Sequence, residues 1–223
     1  MHPVKKLFTL LVVFVPLFLA SACATVTRPP AADLRSEEKM SSDRRSFEGE
    51  ERSRIAAYAE SLLGETRLEP HGRRFRSDCS GYVVGVFRSL GYRVVIEPSP
   101  NDSSISQALF YTLQQSRLVY KDRRPGIGDL AFFKGTTEKR RYRISHIGIV
   151  TGVGEDGTVE IVHYTDSGGV QTLRMNLRAS GEHKNSEGRV INDFLKKGPG
   201  DKLSGQLFYA YGNLHRYVSD RRL

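Results

Sequence analysis

Cysteine is scarce in this chain, with two among 223 residues, Cys23 and Cys79. If Cys23 is acylated, Cys79 is the only thiol left, which excludes an intramolecular disulfide and a multi-cysteine zinc site. Long hydrophobic runs are missing too. The longest, Leu7 to Ala20, is broken by Thr9 and Pro16 and is too short to span a bilayer comfortably. Gly152-x-Gly154 has no helical pattern after it, so it reads as turn chemistry and not as a phosphate loop. No internal repeat is visible. Acidic residues are in deficit: 25 Asp and Glu against 34 Lys and Arg leave a net charge of +9. The basic clusters at Arg73-Arg74-Phe75-Arg76, Lys121 to Arg124 and Lys139-Arg140-Arg141 come with no nucleic-acid recognition motif. Anionic cell wall or phospholipid headgroups, or simply solvent, are the counterparts that remain.

What is present divides the chain into three parts. Lys5 and Lys6, the apolar run, and Ser21-Ala22-Cys23 have the order of an export signal over residues 1–22. Leu19-Ala20-Ser21-Ala22-Cys23 resembles a bacterial lipobox, in which Cys23 would be lipidated and become the mature N-terminus. Ala20-x-Ala22 also suits an ordinary signal peptidase. Ala24 after the cysteine points, by resemblance to enterobacterial sorting, to an outer-membrane lipoprotein facing the periplasm. Residues 23–50 are rich in Thr, Arg, Pro, Ser, Glu and Asp with no apolar period, the composition of a flexible tether. Residues 51–219 carry apolar periods and form the expected domain. Its hydrophobic share, 39% over the whole chain, suffices for a sizeable core.

Within that domain Ile55, Ala59, Leu62 and Leu63 predict an amphipathic helix stopped by Gly64. Val83, Val86, Phe87 and Leu90 predict a second, stopped by Gly91, with Cys79 in its first turn and Ser77 or Asp78 as its cap. Backbone N–H groups and the helix dipole there favour thiolate, which can lower a cysteine pKa to roughly 3.5–7.5. A small buried hydrophobe is the plainer use of such a residue. Tyr92 to Ile96 suggests a short strand, and Ile105 to about Leu118 a helix. Strands follow at 128–133, 145–150 and 158–164, with a turn-rich loop at 152–157. A hairpin centred between Gly154 and Glu155 would pair His146 directly with His163, placing their Cβ atoms about 4.5–5.5 Å apart. A nucleophilic thiol needs a base, and the base an orienting partner. Cys79, His146 and His163 would fill those roles in order, and Gly148 would leave room for the helix end. Either histidine could instead be an ordinary core or surface residue.

Asp78-Cys79-Ser80-Gly81, Gly128-Asp129-Leu130-x-Phe132-Phe133, His146-Ile147-Gly148-Ile149 and Val162-His163 together resemble the NlpC-type cell-wall peptidases of the papain-like superfamily. The resemblance covers roughly residues 52–177. It implies an α+β, papain-like fold with an antiparallel sheet packed against the cysteine-bearing helix. It implies a cysteine endopeptidase acting on peptidoglycan stem peptides or cross-links, with a Cys79–His146–His163 triad and no cofactor or metal. Asp78, Ser80 and Arg67 are candidate substrate contacts. The implied partners are peptidoglycan and, through a lipid on Cys23, a membrane, with no nucleic acid.

Two departures stand out. The family's tyrosine-containing segment before the cysteine is replaced by Gly64 to Gly72, without a tyrosine and with Arg67 near its place. Residues 180–205 form an insertion, read as a flap bordering the cleft or as a solvated loop. A non-catalytic wall-binding scaffold is the alternative to a hydrolase, and acyl or amide transfer by the same triad differs only in the acceptor.

Overall fold

A computed structural model describes residues 31–69, 74–100, 104–122, 124–196 and 200–219. The expected leader and the proposed lipidation residue Cys23 lie outside them. The chain divides into Met1–Ser42 and Asp43–Leu223. The described part of the first unit, residues 31–42, is helical.

Helix α1, Ala31–Ser61, starts within the stretch the sequence reads as a tether. The absence of an apolar period there reflects a helix that is polar all round, built from good helix formers such as Ala, Glu, Arg and Lys. Along residues 39–61 it buries a face only from about residue 51. Ile55 and Ala59 enter the core, Glu51 accepts a hydrogen bond from Tyr92, and Arg52 pairs with buried Asp129 at 2.9 Å.

Helix α2, Cys79–Ser89, and helix α3, Ile105–Gln115, follow. Residues 93–96, expected as a strand, have no regular secondary structure, although Val94 is buried. The main sheet comprises β1 (Val119–Tyr120), β2 (Leu130–Lys134), β3 (Ile144–Val153), β4 (Thr158–Thr165), β5 (Gly169–Asn176) and β8 (Phe208–Gly212). Their order is β1-β8-β2-β3-β4-β5 and every pairing is antiparallel. This mixture of helices and antiparallel sheet fits the α+β, papain-like expectation.

Alternation along the strands builds two cores. Leu130, Phe132, Ile147, Ile149, Val162 and Tyr164 pack with residues of α1, α2 and α3. Ala131, Phe133, Val150, Ile161 and Leu173 face the other way and form a second cluster. The insertion covers that second face. It folds into β6 (Phe194–Lys196) and β7 (Lys202–Leu203), followed by α4 (Ser204–Leu207), and a last short helix, α5 (Leu214–Val218), ends the described chain. Leu195 and Leu207 pack on the second cluster. Asn192 is fully buried and pins the segment. Its Oδ1 accepts from the N–H groups of Asn176 and Gly205, and its Nδ2 donates to the carbonyls of Ala179 and Glu182. The insertion is therefore an ordered cover for one sheet face, which a composition rich in Gly, Lys, Asn and Asp does not suggest.

Candidate active site

Cys79 is placed by the start of α2. Asp78 caps the helix, with its Oδ1 accepting from the Gly81 N–H at 2.7 Å and from the Ser80 hydroxyl at 2.6 Å. Its Oδ2 pairs with Arg76 at 2.7 Å. The Arg76 carbonyl packs so tightly on the helix that a Cβ at Gly81 would lie 2.0 Å from it. The apolar side of α2 holds the helix in place, and the Tyr82 hydroxyl donates to the Ala59 carbonyl at 2.9 Å. The thiol is thus carried on a rigid element.

His146 comes from β3, just past an irregularity in the β2–β3 pairing between Phe133 and Lys134. Its Nε2 lies 2.6 Å from His163 Nδ1, and the two rings stand nearly perpendicular with centroids 4.9 Å apart. The histidines are not directly opposed, contrary to the hairpin expected from sequence. Ile149 faces Val162 and Val150 faces Ile161, so one step further along the ladder His163 faces Gly148. The register is displaced by two residues: near the turn, where Gly152 faces Glu160, the displacement is three, and the bulge between Val150 and Gly152 takes back one. The two rings meet diagonally across a glycine. The room at Gly148 accordingly serves β4, not the end of α2. A Cβ there would lie 2.5 Å from Ile161 Cγ2 and 3.1 Å from His163 Cβ.

Cys79 and His146 line one cleft of about 580 Å³, together with Arg76, Asp78, Ser106 and Asp166 among others. His163 lies behind His146 and lines a second cavity of about 430 Å³ with His183 and Phe194. Leu195 and Thr165 border both, so the insertion reaches the cleft. Asp78 and Ser80 line the cleft but are engaged in the cap described above. Arg67 is exposed and is not among the residues lining the cleft. Ser106 was not singled out from sequence, yet its hydroxyl lies 3.6 Å from Cys79 Sγ. A serine two residues after Ser104, at the start of an apolar helical period, was the available signal.

Burial dominates the electrostatics. It pushes the Cys79 thiol pKa up, against hydrogen bonds from the Ser106 side chain and the Ile147 and Ser80 backbone that favour the thiolate. The depressed thiol pKa expected from the helix N-terminus is therefore outweighed by desolvation. Burial also lowers the His146 pKa to about 4, opposed by the charge of Asp166. His163 is held well below its ordinary value by burial and by the neighbouring His146. At neutral pH the site holds a thiol and two neutral imidazoles. With the shared proton on His146 Nε2, His163 Nδ1 accepts it, and His146 Nδ1 keeps a lone pair.

No curated protein matches this chain. Among solved structures, the chain is similar to the crystal structure of N-acetylmuramoyl-L-alanine amidase from Staphylococcus aureus. The identity is 16%, with 45% of this chain and 27% of that chain covered and a TM-score of 0.33, too loose a likeness to carry an argument. This chain thus spans about a quarter of that one's length. The matched protein family is not the NlpC-type one that the motif order resembles: residues 69–165, which contain Cys79, His146 and His163, match the CHAP domain.

Proposed function

We propose that this chain is a cysteine- and histidine-dependent hydrolase of amide bonds in peptidoglycan. One observation carries the reading: a thiol at a helix N-terminus and a neutral imidazole, itself bonded to a second imidazole, line one cleft. The CHAP match over the same residues supports it.

In this reading Cys79 attacks the amide carbonyl while His146 takes the thiol proton, because the resting pair is neutral. The carbon–sulfur bond forms and the carbonyl electron pair moves to oxygen. The Cys79 N–H, free at the start of α2, helps stabilise that oxyanion. His163 orients His146 and supports the imidazolium. Collapse re-forms the carbonyl, and the leaving amine departs with the proton from His146. Water then cleaves the thioester, giving up its proton through the same base.

The finer reading is an NlpC-type endopeptidase cutting stem peptides or cross-links. Its catalytic domain is residues 51–219, exported behind a signal at 1–22 and tethered to the outer membrane by a lipid on Cys23. Digestion of purified peptidoglycan by the full chain, with fragments identified by mass, tests the bond assignment. Peptide fragments still joined to sugar at one end indicate endopeptidase action, and intact stems freed from sugar indicate an amidase. The second reading, a wall-binding scaffold, is favoured by the raised thiol pKa and the absent tyrosine. It predicts retention of the chain on peptidoglycan with no fragments.

A further inference from the structure

Two helices start in the same cleft. Beside α2 and its cysteine, α3 brings Ser104, Ile105 and Ser106 to the wall. Its start is fixed twice. Ser104 Oγ accepts from the Gln107 N–H at 3.4 Å, and Gln107 Oε1 accepts from the Ile144 N–H at 3.0 Å, tying α3 to the strand that bears His146. Ser106 is 5% exposed, and its hydroxyl lies 3.6 Å from Cys79 Sγ. This rigid, half-dry wall places one rotatable donor beside the nucleophile.

We propose that Ser106 is a catalytic residue whose hydroxyl follows the negative charge from Cys79 sulfur to the carbonyl oxygen during attack. It would serve as the side-chain oxyanion donor, because the tyrosine that lines the cleft, Tyr164, already donates its hydroxyl to the Thr66 carbonyl at 2.8 Å. The inference rests on the hydrolase reading above.

The chemistry is specific. As sulfur bonds to the carbonyl carbon it loses its charge, and the oxygen that gains it is attached to that same carbon. A hydroxyl already within contact of sulfur needs only a small rotation to reach it, since its hydrogen is free to turn. An O–H donor bonds an oxygen anion more closely and more strongly than it bonds a large, diffuse sulfur. The interaction is therefore worth more in the transition state than in the ground state, which is the condition for raising kcat. In the resting site the thiol is pushed up and the base is pulled down, so little thiolate exists before attack. Arg67, the residue nearest the absent tyrosine in sequence, is not among the residues lining the cleft.

The test compares wild type, Ser106→Ala and Ser106→Thr as full chains on soluble muropeptides, with kcat and KM measured separately and Tm recorded. Iodoacetamide alkylation across pH reads the thiol without a substrate. Ser106→Ala is expected to lose about 10²–10³-fold in kcat with KM and Tm nearly unchanged, the scale for one oxyanion donor. Its alkylation midpoint moves to higher pH, because the thiolate loses a hydrogen bond. Ser106→Thr retains the hydroxyl and recovers most of the rate. A Ser106→Ala chain with wild-type kcat, or one whose loss lies in KM or Tm alone, overturns the inference while the hydrolase reading stands. A wild type that cleaves nothing overturns both.

Discussion

Continuing the register of Ile149 and Val162 by one step sets Gly148 beside His163, and the absence of a side chain there lets the His163 ring lean diagonally to His146. A Cβ at this position would stand 2.5 Å from Ile161 Cγ2, 3.0 Å from the Val162 carbonyl oxygen and 3.1 Å from His163 Cβ. The strands would have to part.

Gly148→Ala should therefore damage stability and catalysis together. Overpacking of this kind costs about 1–3 kcal/mol, read as a lower Tm. The 2.6 Å contact between the imidazoles would lengthen, and kcat would fall with it. A Gly148→Ala protein with wild-type Tm and kcat would show that β4 yields freely at this point.

The histidines also set an acid limit. His146 in the folded chain takes up its proton only near pH 4, whereas an unfolded histidine does so near about 6.5. Between these values the unfolded state holds more protons, so stability falls as pH drops from about 6.5 toward 4. His163 shifts in the same direction. Tm measured against pH should decline through this window in wild type and less steeply in His146→Gln. Equal slopes would place the acid sensitivity elsewhere.

Asn192 anchors the insertion from inside. Replacing it with alanine leaves the Asn176 and Gly205 N–H groups without their side-chain acceptor and the Ala179 and Glu182 carbonyls without its donor. Each buried polar group left unsatisfied costs about 1–3 kcal/mol. Asn192→Ala should lower Tm, open residues 180–205 to proteolysis and reduce turnover, because Leu195 borders the cleft. Unchanged proteolysis would make the packing of Leu195 and Leu207 the stronger anchor.

Local patterns made much of this legible in the sequence. The α2 period and the cap residue Asp78 predict where Cys79 sits, and strand alternation puts Val159, Ile161 and His163 on one face, as observed. The pairing of the histidines could not be read as well. Register depends on where the chain turns: the hairpin is centred on Asp156 and not between Gly154 and Glu155, and the break between Val150 and Gly152 then takes back one residue with no mark stronger than a glycine. The polar start of α1 has no apolar stripe to announce it. The order of the insertion rests on buried Asn192, on Asp193 and Ser204 bonded to the Arg174 backbone, and on Leu195, none of which sequence distinguishes from solvated residues. The direction of the Cys79 shift is not legible in sequence because the helix N-terminus is a local feature, whereas burial comes from α3 and β3 packing around the thiol.

The central claim is that Cys79 performs the chemistry with His146 as its base. It is tested most directly by initial rates of fragment release from purified peptidoglycan, measured for wild type, Cys79→Ala and His146→Ala at matched Tm. Release by wild type is expected, and none above background from either variant. Release by Cys79→Ala at the wild-type rate would contradict it.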